Sequence, residues 1–279
     1  MPEAPASLAR LAADRRRAQQ WLLEAWACGD PSVIEPGLQI VAEQLLEAAD
    51  LRAGEQVLDV AAGCGTASLA AARRFARVLS TDAVPAWLER GRARARVEGL
   101  ALNFRVAEAQ ALPFDDGRFD LVLSMFGVMY AVEADRAAHE LLRVLRPGGR
   151  LALACWTPDG FVGQLLVLLA QHLQPLQGLP APSRWGTVAQ LGRWFGPEHA
   201  RLRWSSRQYQ FRYRSAAHWM QVYRDFHGPL HRVFAALEPR AQQALERDIT
   251  TLLQRLNTAG SSALVVPADY LEAVVTRHG

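Results

Sequence analysis

A loop of small residues follows an apolar run at residues 56–60 and could bring a ligand against the backbone. Within it the spacing Asp59-x-Ala61-x-Gly63-x-Gly65 stands out, and we call residues 61–66 the glycine loop. Glycine has no Cβ, so a ligand can approach the main chain closely. A run rich in alanine and leucine follows at helical spacing, and the start of a helix offers unpaired N–H donors. The pattern predicts a strand, a ligand-binding turn and a helix, and the alternative is the same turn without a ligand.

A second acid, Asp82, ends the next apolar run, 17 residues beyond Gly65. A carboxylate at the end of the second strand of such a unit can accept two hydrogen bonds from a ribose diol. Asp82 therefore predicts a nucleoside ligand. A dinucleotide-binding loop would read Gly-x-Gly-x-x-Gly. Here the third residue after Gly65 is Ser68, which argues against an NAD-dependent reductase but leaves it as an alternative.

The glycine loop and the preceding Asp59 resemble the first motif of class I S-adenosylmethionine-dependent methyltransferases, in which glycine is usual at the position of Ala61. The run Glu140–Gly149 resembles a signature of the ubiquinone- and menaquinone-type members. The resemblance covers residues 56–156. It implies methyl transfer from S-adenosylmethionine, with S-adenosylhomocysteine as the product, to a small-molecule acceptor.

The resemblance also assigns roles to single residues. In the family, an acid followed by a small residue binds the adenine through the carboxylate and the next backbone N–H. Here those positions are Glu108 and Ala109, although the family's acid is more often aspartate. Ser124, near the end of the fourth predicted strand, completes the set. The predicted cofactor-binding residues are Asp59, Ala61, Gly63, Gly65, Asp82, Glu108, Ala109 and Ser124.

Two side chains are candidates for catalysis, and a base is needed only when the acceptor must lose a proton. Tyr130 follows the fourth predicted strand and matches a position where related enzymes carry an aromatic residue or histidine near the methyl donor. His227 is the second candidate, and His231 lies close to it in the sequence. For both histidines a purely structural role is the alternative.

Apolar runs and helical patterns alternate from residue 56 to residue 156, which predicts a doubly wound, mostly parallel α/β sheet. The resemblance implies seven strands and an antiparallel closing pair. The period-two pattern of 201–213 predicts a half-exposed edge strand, and residues 264–276 read as the closing strand. The stretch 215–260 between them is long for a simple connection.

The same pattern predicts how the chain is organised. We expect an N-terminal helical cap at residues 1–50 and a methyltransferase domain at 51–279. Within that domain, residues 215–260 are predicted to form a helical lid insert before the last strand. Aromatic residues in this insert favour an acceptor of natural-product or quinone type.

Composition limits the other classes of function. The formal net charge is +3, and every basic side chain is arginine, which is weak support for nucleic-acid binding. An RNA methyltransferase therefore remains only an alternative, as does a non-catalytic cofactor-binding protein on the same fold.

No apolar run approaches the roughly 18–20 residues that span a bilayer, and residues 1–17 lack an apolar signal segment, so we expect a soluble cytoplasmic protein. The three cysteines have no paired spacing, so neither a disulfide framework nor a metal site is expected. The sequence gives no indication of the oligomeric state.

Overall fold

The computed structural model describes residues 4–172, 180–197 and 199–279. Its centre is a seven-stranded sheet in the order β3-β2-β1-β4-β5-β7-β6. Neighbouring strands from β3 through β5 are parallel, and β7 runs antiparallel between β5 and β6. The strands are β1 (Gln56–Val60), β2 (Arg77–Asp82), β3 (Asn103–Val106), β4 (Phe119–Met125), β5 (Leu145–Trp156), β6 (Ala200–Tyr213) and β7 (Leu264–Arg277).

Helices accompany the sheet, and amphipathic faces such as that of α11 are buried against the rest of the fold. None of the helices in the described ranges is long and apolar enough to cross a membrane. Short 3-10 turns lie at residues 35–38, 128–130 and 182–186. The helices are α1 (Ala4–Ala27), α2 (Pro31–Ile34), α3 (Gln39–Ala48), α4 (Thr66–Arg73), α5 (Pro85–Val97), α6 (Ala134–Arg143), α7 (Phe161–Ala170), α8 (Val188–Trp194), α9 (Ala216–Phe226), α10 (Gly228–Ala236) and α11 (Pro239–Leu256).

The predicted fold class is confirmed: the sheet has seven strands, β6 lies at its edge and helices α9–α11 precede the last strand. One boundary differs. In the sequence, the run Pro147-Gly148-Gly149 is typical of a turn and predicts that the fifth strand starts at Arg150. Strand β5 instead begins five residues earlier, at Leu145, because Leu145 already pairs with Phe119. The predicted turn at residues 147–149 is an irregularity inside this strand, where the pairing register shifts and Gly148 has φ of 73°.

The order of the strands reverses between the parallel neighbours β1 and β4, because β2 and β3 lie on one side of them and β5, β7 and β6 lie on the other. Open α/β sheets bind their ligands in the crevice at such a switch point. The N-terminal helices meet α9 and α10 above it. The Asp30 N–H donates to the Phe226 carbonyl at 2.8 Å, and a Cβ on Gly228 would lie 2.1 Å from the Ala25 carbonyl oxygen. The two segments are therefore in backbone contact over the crevice.

Candidate active site

A cavity of about 240 Å³ lies at the switch point. Its walls come from the ends of β1, β2 and β4, from the N-terminal helices and from α9 and the turn into α10. Eight of the ten residues predicted for cofactor binding or catalysis line it. They are Asp59, Ala61, Gly63, Asp82, Glu108, Ala109, Tyr130 and His227.

The glycine loop has the backbone conformation that its composition predicts. Ala61, Gly63 and Gly65 have φ of 54°, 59° and 80°. This left-handed region is open to glycine but costs other residues roughly 1–2 kcal/mol, so Ala61 carries strain where glycine would not. A Cβ on Gly63 would lie 2.1 Å from Oε1 of Glu35, so a larger residue here would displace the Glu35 carboxylate.

Asp82 holds the loop and faces the cavity. Its Oδ2 accepts from the Gly63 N–H and its Oδ1 from the Val84 N–H, both at 2.9 Å. Burial raises the pKa of Asp82 to about 6. An ionised carboxylate has about four acceptor sites, so each oxygen keeps capacity for one hydroxyl of a ribose diol.

Asp59 is buried, and only one of its two carboxylate oxygens accepts a hydrogen bond. Its Oδ2 accepts from Ser68 Oγ at 2.6 Å, while Oδ1 is buried without a partner. Burial, together with the negative charge of Asp82, raises the pKa of Asp59 to about 7. A buried carboxylate oxygen without a partner is costly, which is why burial makes Asp59 easier to protonate than an ordinary aspartate.

Glu108 is already hydrogen-bonded by a residue from outside the sheet. Gln19 on α1 donates from Nε2 to Glu108 Oε2 at 2.8 Å, and Gln110 Nε2 donates to Gln19 Oε1 at 3.4 Å. Burial raises the pKa of Glu108. The Gln19 amide thus offers Glu108 the kind of N–H donor that an adenine amino group would offer.

Gly65 and Ser124 lie beside the cavity and do not form its wall. Gly65 caps the start of α4. Ser124 donates from Oγ to the Val60 carbonyl at 2.7 Å and accepts from the Val128 N–H at 3.0 Å. Both hydrogen bonds join the end of β4 to its neighbours, so Ser124 shapes the crevice through the backbone.

Glu35 forms part of the cavity wall and was missed by sequence reasoning. It lies in the 3-10 turn before α3, and its Oε2 accepts from the Cys64 N–H at 3.1 Å and the Cys64 thiol at 2.8 Å. The Thr66 hydroxyl is 3.4 Å from the same oxygen. Burial, with the charge of Asp82, raises the pKa of Glu35 to about 7. No motif marks this residue, since a single acid before Pro36 is ordinary turn composition.

The charge of the cavity is one-sided. Within the described ranges, its walls carry four carboxyl groups and no arginine, and the chain has no lysine. No three His, Cys, Asp or Glu side chains of the described residues gather closely enough to hold a metal ion. An acidic cavity suits an organic cation and repels the pyrophosphate of a dinucleotide, which argues against the NAD-dependent reductase. The four carboxyl groups are those of Glu35, Asp59, Asp82 and Glu108.

The opposite end of the cavity is aromatic, and we call it the aromatic chamber. Trp26 lies at its centre, with ring centroids 5.0 Å from Tyr130, 5.2 Å from His227 and 5.5 Å from Trp87 in edge-to-face arrangements. His227 is the one ionisable side chain besides tyrosine that the described residues bring to it. The remaining aromatic walls are Phe126, Trp156, Phe161, Phe211, Trp219, Tyr223 and Phe226.

The protonation states of Tyr130 and His227 follow from their surroundings. Burial raises the pKa of Tyr130 well above its usual value, so its hydroxyl keeps its proton. His227 Nδ1 accepts from the Leu230 N–H at 3.3 Å, capping α10, and burial lowers the pKa of His227 to about 4. A neutral ring that accepts at Nδ1 carries its proton on Nε2. Both side chains are therefore hydrogen-bond donors at neutral pH. His231 does not line the cavity.

Comparison with known proteins places this geometry in a family. A family model described as a methyltransferase domain matches residues 57–149. A Mycobacterium tuberculosis protein of uncharacterised function, Rv1403c, is 36% identical over 234 residues, which are 82% of this chain and 85% of the relative. The chain belongs to the S-adenosylmethionine-dependent methyltransferases.

Two further comparisons, one with a sequence and one with a solved structure, show how much of the chain is similar to other proteins. Another uncharacterised Mycobacterium tuberculosis protein, Rv1405c, is 43% identical over 166 residues, and the match covers 59% of this chain and about three fifths (61%) of that relative. The crystal structure of YcgJ from Bacillus subtilis superposes with a TM-score of 0.62 at 18% identity, covering 86% of this methyltransferase and 99% of YcgJ. The second comparison supports the fold alone.

The cavity fits the cofactor of this family. The four carboxyl groups of its wall suit a ligand with positive charge on sulfur and on an amino group. Asp82 has acceptor capacity for a diol, and Glu108 is engaged by an amide donor that an adenine amino group could replace.

Proposed function

We propose that this methyltransferase transfers the methyl group of S-adenosylmethionine to an uncharged, mainly aromatic small molecule, such as a quinol or a hydroxyaromatic natural product. One observation carries the proposal. A single cavity joins a wall of four carboxyl groups to a chamber of aromatic side chains. When bound, the cofactor supplies a methyl group on positively charged sulfur together with its own leaving group.

At the carboxylate end, each side chain has a proposed task. Asp82 accepts hydrogen bonds from the ribose hydroxyls while its other lone pairs hold the glycine loop. Glu108 accepts from the adenine amino group in place of Gln19, with the Ala109 N–H nearby. Asp59 supplies negative charge beneath the glycine loop. Positioning of this kind can supply several kcal/mol of the barrier reduction in group transfer.

In the aromatic chamber, Tyr130 and His227 donate hydrogen bonds that orient the acceptor. Neither is suited to remove a proton, because Tyr130 already holds one and the free lone pair of His227 is used to cap α10. The acceptor must therefore bring a nucleophile that is acidic or already reactive, as a quinol or an acidic phenol does. We propose that the N-terminal cap and the insert at residues 215–260 close over it and exclude water.

The test is transfer of labelled methyl from S-adenosylmethionine to a panel of quinols, hydroxyaromatics, aliphatic amines and RNA. We expect label in the first two classes. Label confined to amines or RNA would overturn the acceptor class. Binding of S-adenosylhomocysteine without transfer to any acceptor would favour a non-catalytic cofactor-binding protein. Limited proteolysis tests the lid, since cofactor and acceptor should together protect residues 215–260.

A further inference from the structure

We propose that Glu35 binds the α-ammonium group of the cofactor, so that a residue outside the methyltransferase sheet completes the cofactor site. The inference rests on the proposed function. Glu35 precedes the matched family region, which begins at residue 57. The short turn between α2 and α3 carries it back onto the glycine loop, where its carboxylate forms part of the cavity wall.

The contacts of Glu35 decide which cofactor group faces it. Its carboxylate accepts from the Cys64 N–H of the glycine loop, two residues before α4, at 3.1 Å from Oε2. This backbone donor of the loop is therefore already taken by an anion. A second carboxylate cannot share the position without strong repulsion. The amino-acid end of the cofactor must therefore present its ammonium group to Glu35 and its carboxylate elsewhere.

The charges around Glu35 favour the same orientation. The negative charge of Asp82 repels it, and both carboxyl groups are buried. The nearby cation Arg94 lowers the pKa of Glu35 by its charge but forms no ion pair with it. Its NH1 donates to Cys64 Sγ at 3.1 Å and to the Thr66 hydroxyl at 3.0 Å, the two groups that also contact Glu35 Oε2. Among the described residues, Glu35 thus has hydrogen-bond donors but no direct counter-ion, and an ammonium group would supply one.

The position of Glu35 against the glycine loop places its carboxylate near the amino-acid end of the proposed cofactor. Its Oε1 lies 2.1 Å from the ideal position of a Cβ on Gly63. Gly63 is held by Asp82, the proposed ribose ligand, through the 2.9 Å hydrogen bond to Oδ2. The Glu35 carboxylate therefore sits on the glycine loop next to the ribose site, within reach of the groups that extend from the ribose.

The experiment compares two ligands by calorimetric titration: S-adenosylhomocysteine and its analogue lacking only the α-amino group. Glu35→Gln should weaken binding of S-adenosylhomocysteine about ten- to a hundredfold, the usual effect of losing one charged hydrogen bond. Binding of the desamino analogue should change less than threefold. Glu43→Gln is the matched control, because Glu43 pairs with Arg74 on the α3 surface, away from the cavity, and should leave both affinities unchanged.

Other results would overturn the inference. Equal weakening of both ligands would mean that Glu35 only supports the loop. Unchanged or tighter binding of S-adenosylhomocysteine would mean that Glu35 is displaced by the cofactor. If the wild-type protein bound neither ligand, the cofactor assignment would fail together with the inference. Glu35→Asp, which keeps the charge, should recover part of the affinity for S-adenosylhomocysteine alone.

Discussion

The two ends of the cavity are built in different ways. The carboxylate end is made by backbone turns at the ends of β1 and β2, and three residues of the turn after β1 have φ between 54° and 80°. The aromatic chamber is made by large side chains from α1, α7, β5, β6 and α9, which are far apart in the sequence. One end depends on the path of the main chain and on charge, the other on the volume and shape of side chains.

This difference indicates how each end can change. A glycine turn tolerates few substitutions, because the backbone itself must approach the ligand. An aromatic wall can exchange one large apolar side chain for another at modest cost if volume is kept. We therefore expect the cofactor to be fixed and the acceptor to be adjustable, and four experiments test this contrast from the largest effect to the smallest.

The largest effect is expected from Gly63→Val. The new side chain would displace the Glu35 carboxylate and place its methyl groups on the cavity wall beside Asp82, so binding of S-adenosylhomocysteine should fall by more than about a hundredfold. Gly99→Val is the matched control, since Gly99 has φ of 67° but no heavy atom near the ideal Cβ position. Calorimetry should show normal binding in the control. Equal loss in both variants would point to backbone strain and not to the site.

A smaller effect, on catalysis and not on cofactor binding, is expected from Tyr130→Phe in the aromatic chamber. Loss of one donor to the acceptor should lower kcat/KM about tenfold and leave the affinity for S-adenosylhomocysteine within twofold. A general base would be worth roughly 10²–10⁴. A loss in that larger range, with unchanged binding, would contradict the donor role of Tyr130.

The carboxylate end should also make stability depend on pH. The pKa values of Asp59 and Glu35, about 7, and of Asp82, about 6, are raised above their unfolded values. The folded protein then binds more protons than the unfolded chain, so stability falls as pH rises through this range. We expect the Tm without cofactor to decrease by several degrees between pH 5.5 and pH 8.

Calorimetry at both pH values measures this decrease. Asp59→Asn removes one of the three groups and should reduce it. A Tm that rises with pH in the wild-type protein would show that the three carboxyl groups are paired in a way that the structure does not contain.

The smallest effect is expected from Ala61→Gly. Ala61 has φ of 54°, so glycine relieves strain, although it also increases the freedom of the unfolded chain. The net result should be a rise in Tm of about 1–2 °C. Ala62→Gly is the control, because Ala62 lies outside the left-handed region and should lose stability. A fall in Tm for both variants would mean that Ala61 is not strained.

The sequence could predict the carboxylate end because chemistry fixes its spacing. Asp59, Ala61, Gly63 and Asp82 are all on the cavity wall, at positions set by the strand–turn–helix pattern. Their role in binding the cofactor remains a prediction. Ser124 shows the limit of this reasoning, because a polar residue at a strand end can satisfy itself on the backbone, as its hydrogen bonds to Val60 and Val128 do.

Other features could not be predicted for physical reasons. Gln19 and Glu35 reach the cavity through the packing of helices that carry no motif, so only the tertiary structure brings them there. Trp26 and Trp219 have the helical spacing of ordinary core residues, and nothing local distinguishes a core from a chamber wall. The start of β5 was also missed, because a Pro-Gly-Gly turn signal hid the pairing of Leu145 with Phe119.

The four carboxyl groups of the cavity act on the spent cofactor as well as on the fresh one. Transfer removes the positive charge from sulfur, and the extra charge leaves with the methylated acceptor or as a proton. The wall stays equally negative. We therefore expect the used cofactor to be held less tightly than its precursor, which would speed product release and limit inhibition by the accumulated product.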